Sequence, residues 1–135
     1  MSVAQTDVYQ TFTSRQSLEQ ALTRLTETLG AHGFGVLWDL DVNATLQKKG
    51  LDLHNRFHIL EVCSAPRAKE ALEQNPLTAY FLPCKVTVYQ ADGQTRIGLP
   101  RPTALIGLVG DDSLRALAEE VEGVLVSAIG EAVGD

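Results

Sequence analysis

Residues 80–99, YFLPCKVTVYQADGQTRIGL, decide the fold. Residues 80–90 are rich in β-branched and aromatic side chains, and residues 95–99 supply a second, shorter run of the same kind. Between them Asp92-Gly93 is the dipeptide that a two-residue hairpin turn favours, because both central positions of a type I′ turn need positive φ. Two antiparallel neighbours are therefore expected late in the chain. Within the first of them Cys84 shares parity with Val86 and Val88, so it is expected to face a core as a small hydrophobe.

Working back from the hairpin, residues 57–63 read as a strand that runs into Ser64-Ala65-Pro66, a helix start in which proline occupies the first turn. Ala68, Ala71 and Leu72 supply that helix's buried stripe, and Asn75-Pro76 ends it. Residues 34–40 form another apolar run, closed by Asp41 as the N-cap of a brief helix through Val42, Thr45 and Leu46, with Gly50 past its end. Further upstream Leu18, Ala21, Leu22, Leu25 and Leu29 fall on one helical face, and Ser17 with Gln20 forms a capping-box pattern. Before it, Val8, Gln10 and Phe12 alternate with Tyr9 and Thr11, which suits a short first strand. Downstream of the hairpin, Pro100 and Pro102 bracket a turn, and residues 104–109 are expected to make one more strand. Asp111-Asp112-Ser113 then caps a terminal helix facing inward with Leu114, Leu117, Ala118, Val121, Leu125, Ala128 and Ile129.

Helices separated by strands, with a late hairpin, give an α+β fold: a mixed, largely antiparallel sheet with helices packed on one face. Residues 34–40 and 57–63 are apolar at both parities, so the other face also needs cover, and a twofold homodimer is the economical solution. At 135 residues, 44% of them hydrophobic, residues 1–135 are expected to be one domain. Seventeen acidic against eleven basic residues leave a net charge of −6, with no basic run suited to a nucleic-acid backbone. No apolar stretch approaches a membrane span and the first residues lack a signal-peptide pattern, which points to a soluble cytoplasmic protein. Glu119, Glu120, Glu122 and Glu131 are expected on solvated outer helix faces.

Few motifs carry chemistry. Gly33-Phe34-Gly35 lacks the third glycine of a dinucleotide fingerprint and follows a helix, and Gly107-Leu108-Val109-Gly110 lacks the Lys-Ser/Thr of a phosphate loop. Asp39 and Asp41, two apart at a strand end, share a face where a carboxylate pair can hold a cation, although Asp41 is also explained as a cap. His54 and His58 bracket an extended segment, too far apart to share a metal. Cys63 stands at a strand end just before a helix N-terminus, which favours a thiolate, while Glu61 on the same strand face opposes it. The two cysteines are thus either core thiols or a small reactive pair. No metal site, cofactor site or catalytic constellation emerges.

The segments Gly33-Phe34-Gly35-Val36, Asp39-Leu40-Asp41-Val42, Ile59-Leu60-Glu61-Val62-Cys63-Ser64-Ala65-Pro66 and Phe81-Leu82-Pro83-Cys84-Lys85-Val86 together resemble the prokaryotic domain of unknown function family 302. The resemblance runs from about residue 12 to residue 135; its most specific element is the paired Cys segments, in which Leu82-Pro83-Cys84 matches well. It implies a small α+β fold that forms homodimers through its sheet, and it brings no established activity. The family's Ala-Cys-Asn-Pro is here Val62-Cys63-Ser64-Ala65-Pro66, so an amide is lost and a hydroxyl gained. The candidate functional residues are Cys63, Cys84, Pro83, Asp39 and Asp41. The expected function is a non-enzymatic, homodimeric module binding a small ligand or a protein, with its site near Asp41 and Cys63. The rival is thiol-dependent redox or soft-metal chemistry at Cys63 and Cys84.

Overall fold

Asp92 and Gly93 both take positive φ, 54° and 76°, and they join β5 (Cys84–Ala91) to β6 (Gln94–Pro100) as the tight hairpin expected from their chemistry. The computed structural model describes residues 2–134; Met1 and Asp135, the outermost residues of the expected domain, lie outside the described residues. Around the hairpin the chain runs β1 (Ser2–Gln5), β2 (Tyr9–Ser14), α1 (Leu18–Ala31), β3 (Gly35–Asp41), α2 (Val42–Gln47), β4 (Arg56–Cys63) and α3 (Ala65–Gln74). After the hairpin come α4 (Pro102–Gly107) and α5 (Arg115–Val133). The fold is α+β. Its sheet has the order β1-β2-β6-β5-β4-β3, and every pairing among the described strands is antiparallel, so the parallel pair of a mixed sheet is absent from them.

Local chemistry sets most boundaries. Ser17 accepts from the Gln20 amide at 3.1 Å while the Gln20 side chain accepts from the Ser17 amide at 3.0 Å, the reciprocal capping box that opens α1. Asp41 accepts from the Ala44 amide at 3.0 Å and opens α2. Three expectations fail for identifiable reasons. The strand expected from residue 80 begins only at Cys84, because Asn75 accepts from the Leu77 amide at 3.0 Å and starts a 3₁₀ helix, Pro76–Phe81. Residues 104–109 belong to α4 and the turn after it rather than to a strand. A short apolar run fits either element; Pro102 in the first turn and a carboxylate from α5 decide for helix. Finally, β1 was not expected at all: Ser2–Gln5, with one large apolar residue, becomes a strand only because β2 offers an edge to pair with.

That carboxylate is Glu122. It accepts from the Thr103 amide at 3.1 Å, from the Thr103 hydroxyl at 2.7 Å and from Arg101 Nε at 3.1 Å, so it caps α4 from another helix where Arg101 provides no side-chain cap. Glu122 was expected on a solvated face; it is 14% exposed because α4 packs on α5 there. Burial raises its pKa, yet the Thr103 hydroxyl and amide and the Arg101 guanidinium more than offset that, so the carboxyl lies below its ordinary value.

Register divides the sheet into two faces. The rung Asp41, His58, Val88, Ile97, Phe12 crosses five strands on the face covered by α1 and α5. Leu18, Leu25 and Leu29 of α1 and Leu125 and Ile129 of α5 close the core over it, all within 1% of full burial. The opposite face carries the rung Leu40, Ile59, Thr87, Gly98, Thr11. There Phe57 stacks on its cross-strand partner Tyr89, with centroids 5.6 Å apart and an interplanar angle of 12°.

Candidate functional site

Both cysteines and Pro83 come to one place, the end of the sheet where β4 finishes and β5 begins. There α3, α4, α5 and the 3₁₀ helix Pro76–Phe81 close a cavity of about 320 Å³ against the strand ends. Its walls are largely apolar, with Phe34, Val62, Ala71, Leu114, Leu117 and Val121 among them. The walls arise because α3 and α5 turn small or branched side chains toward strand ends, where no leucine stripe from α1 reaches.

The polar groups are few. Ser64, 4% exposed, stands at the N-cap position of α3 but makes no capping bond; its hydroxyl oxygen instead accepts from Arg67 at 3.2 Å. Arg67 also donates through Nε to Glu120 at 3.1 Å, and its guanidinium carbon lies 5.8 Å from the centroid of the Phe34 ring. Glu61 and Lys85, cross-strand partners, pair at 2.9 Å and cancel each other's charge at the rim. Thr78 is fully buried and donates to the Asn75 carbonyl at 2.9 Å.

Cys63 and Cys84 are both free and both line the cavity. The cross-strand partner of Cys84 is Val62, so the two cysteines are one residue out of register. Burial, followed by the neighbouring Cys63 and Glu61, pushes the Cys84 thiol up to about 11. Such a thiol is protonated at neutral pH and behaves as a small hydrophobe. Pro83, joined to Leu82 by a cis peptide, lines the same cavity between the 3₁₀ helix and β5.

Asp39 and Asp41 are elsewhere. β3 runs antiparallel to β4 with Gly35 opposite Cys63 and Asp41 opposite His58, so a single site near Asp41 and Cys63 is not what forms. Five residues of strand, about 17 Å, separate the two ends. At the far end one imidazole bridges the carboxylates: His58 Nδ1 is 2.7 Å from Asp39 and Nε2 is 3.8 Å from Asp41. A carboxylate only accepts, so Nδ1 carries the proton toward Asp39. The other Asp41 oxygen caps α2. His54 is exposed in the preceding loop, and among the described residues no three His, Cys, Asp or Glu side chains converge to hold a metal. No described helix is long and apolar enough to cross a membrane.

Arg67 is the site residue that sequence reading missed. A signal was present, since Arg67 lies in the first turn of α3, where the positive end of the helix dipole disfavours a cation.

The family model described as "Domain of unknown function DUF302" matches residues 10–132. A solved structure, the crystal structure of the uncharacterized conserved protein DUF302 from Bacillus stearothermophilus, is 40% identical and superposes with a TM-score of 0.89. That likeness covers 92% of this chain and 97% of the other. No curated protein matches.

Proposed function

The chain belongs to the DUF302 family, a domain of unknown function, and on that footing we propose that it is a small-ligand-binding module whose site is the cavity beside α3. One observation carries the reading: an apolar chamber of about 320 Å³ has a handful of polar groups, led by Ser64 and Arg67, in its lining. Apolar walls drive a ligand out of water and a few fixed polar groups orient it. A dry cavity of about 150 Å³ takes benzene, so this one suits a body of roughly ten to fourteen non-hydrogen atoms. Among the described lining residues there is no histidine, and the carboxylate of Glu61 is tied to Lys85, which favours binding over turnover. Thiol chemistry at Cys63 and Cys84 is the weaker reading, because the raised pKa of Cys84 is the opposite of what a nucleophile or soft-metal ligand needs.

Self-association has its own support. Leu40, Phe57, Ile59 and Tyr89 share the sheet face away from α1 and α5, and Trp38, 56% exposed, adjoins them at the edge. A second copy placed over this half of the sheet buries these apolar side chains.

The uncharged naphthalene-2-methanol tests the binding reading by isothermal titration calorimetry. The expected result is saturable one-to-one binding that Ala68→Phe, which fills the chamber, abolishes without unfolding the chain. Absence of saturable binding at millimolar concentration, or binding indifferent to Ala68→Phe, rejects the cavity as the site.

A further inference from the structure

We infer that the ligand is an amphipathic anion: a compact apolar body, ring or short chain, carrying a carboxylate or similar oxyanion that docks on Arg67 in place of Glu120. The inference rests on the cavity being a ligand site and adds the chemical class.

Arg67 is held from inside and answered from outside. Its inner partners are fixed: Phe34, 2% exposed, lies under the guanidinium, and Ser64, 4% exposed, accepts from it. Its outer partner is Glu120, with a side chain 55% exposed on α5. Exposed ion pairs of that kind contribute little, because solvent competes for both members. Glu120 therefore marks the position an oxyanion takes on this guanidinium while being readily exchanged for one. Arginine offers five N–H donors in a planar fork suited to two carboxylate oxygens, and the described contacts of Arg67 engage only Nε and one terminal nitrogen.

The surroundings favour an anion over a neutral or cationic head. Lys85 and Glu61 offset each other at 2.9 Å, so Arg67 supplies the uncompensated charge once Glu120 is displaced. The N-terminus of α3 adds to it: Ser64 gives no side-chain cap and Pro66 has no N–H, leaving the first-turn amides with the positive end of a ten-residue helix. The molecule as a whole is acidic, with a net charge of −6, so an attraction for an anion is local to Arg67 and not general. Beneath the guanidinium the walls are apolar, which demands that the anion bring a hydrophobic body.

A matched pair of probes separates the class from the cavity. Sodium 2-naphthoate and naphthalene-2-methanol share their ring body and differ in carboxylate against hydroxyl. Calorimetric titration at pH 7.5 is expected to give naphthoate about tenfold tighter binding than the alcohol, the size of one charge-assisted contact. Arg67→Gln is expected to collapse that ratio toward one and Arg67→Lys to restore part of it. Glu120→Gln, which removes the competing carboxylate, is expected to raise the ratio severalfold. Thermal unfolding of each variant verifies that it is folded. Equal affinities in the unaltered protein, or a ratio unchanged by Arg67→Gln, overturns the anionic class while leaving the cavity a ligand site. If neither probe binds, the proposed function fails and this inference with it.

Discussion

Cys84 gives the sharpest quantitative test of the cavity's character. Its thiol is pushed from an ordinary 9.0 to about 11, first by burial and then by Cys63 and Glu61. Replacing Cys63 with serine isolates Cys84 and leaves the larger cause, burial, in place. A rise of two pH units lowers the thiolate fraction at pH 7.5 about 100-fold. A more basic thiolate is a better nucleophile, and with a Brønsted slope of about 0.4–0.5 that returns roughly six- to tenfold. Removing Cys63 takes away part of that rise, so the net expectation is reaction with a small aromatic disulfide slower by up to about tenfold in the folded Cys63→Ser protein than in the same protein in denaturing urea, before any steric shielding. Stopped-flow absorbance over pH 6–11 reads it directly. The folded-state rate should still be rising above pH 9.0, the ordinary thiol value. A folded-state rate equal to the unfolded one, or a plateau at pH 7–8, would mean a solvated or activated thiol and would restore the redox reading.

Glu122→Ala is expected to cost about 3 kcal/mol in urea denaturation, since it leaves Arg101 without its carboxylate partner, with only the Thr6 carbonyl to donate to, and the Thr103 amide uncapped in a mostly buried setting. Because the folded pKa of Glu122 lies below its ordinary 4.5, its contribution is present above that value and is lost as pH falls through the lower folded one. Acid titration of stability should therefore be less steep in Glu122→Ala than in the unaltered protein, and parallel curves would contradict the assignment. Gly98→Val should destabilise by about 1–3 kcal/mol, because even a Cβ at this position meets the Gln10 carbonyl and the Thr11 hydroxyl at 3.2 Å on the paired strand; an unchanged denaturation midpoint would show that β2 yields. Sedimentation equilibrium should give a dimer at micromolar concentration and a monomer for Phe57→Glu, whereas a monomeric unaltered protein removes the self-association proposal.

Elements whose signals are local were readable from the sequence. Ser17 with Gln20, Asp41 before Val42, and Asp92-Gly93 each satisfy or shape the backbone within four residues, and each forms where its chemistry directs. The misread elements depend on distant partners. α4 is helical because Glu122 reaches back to Thr103 from 19 residues away, and β1 exists because β2 has a free edge. The cavity was only half legible: Cys63, Cys84 and Pro83 pointed to it, but its walls come from strands, three helices and a 3₁₀ turn that no single sequence window contains. Asp39 and Asp41 were grouped with Cys63 because β3 and β4 both meet helices there, and only the antiparallel register reveals that those junctions lie at opposite ends.

Titrating ¹⁵N-labelled protein with 2-naphthoate and following its amide correlation spectrum reads the location of binding residue by residue. Saturable shifts are predicted at Phe34, Ala68, Ala71 and Val121, around the cavity, with Thr11, Thr87 and Arg96 on the open sheet face unmoved. Shifts confined to that open face, or none that saturate at the cavity, would contradict a ligand site beneath Arg67.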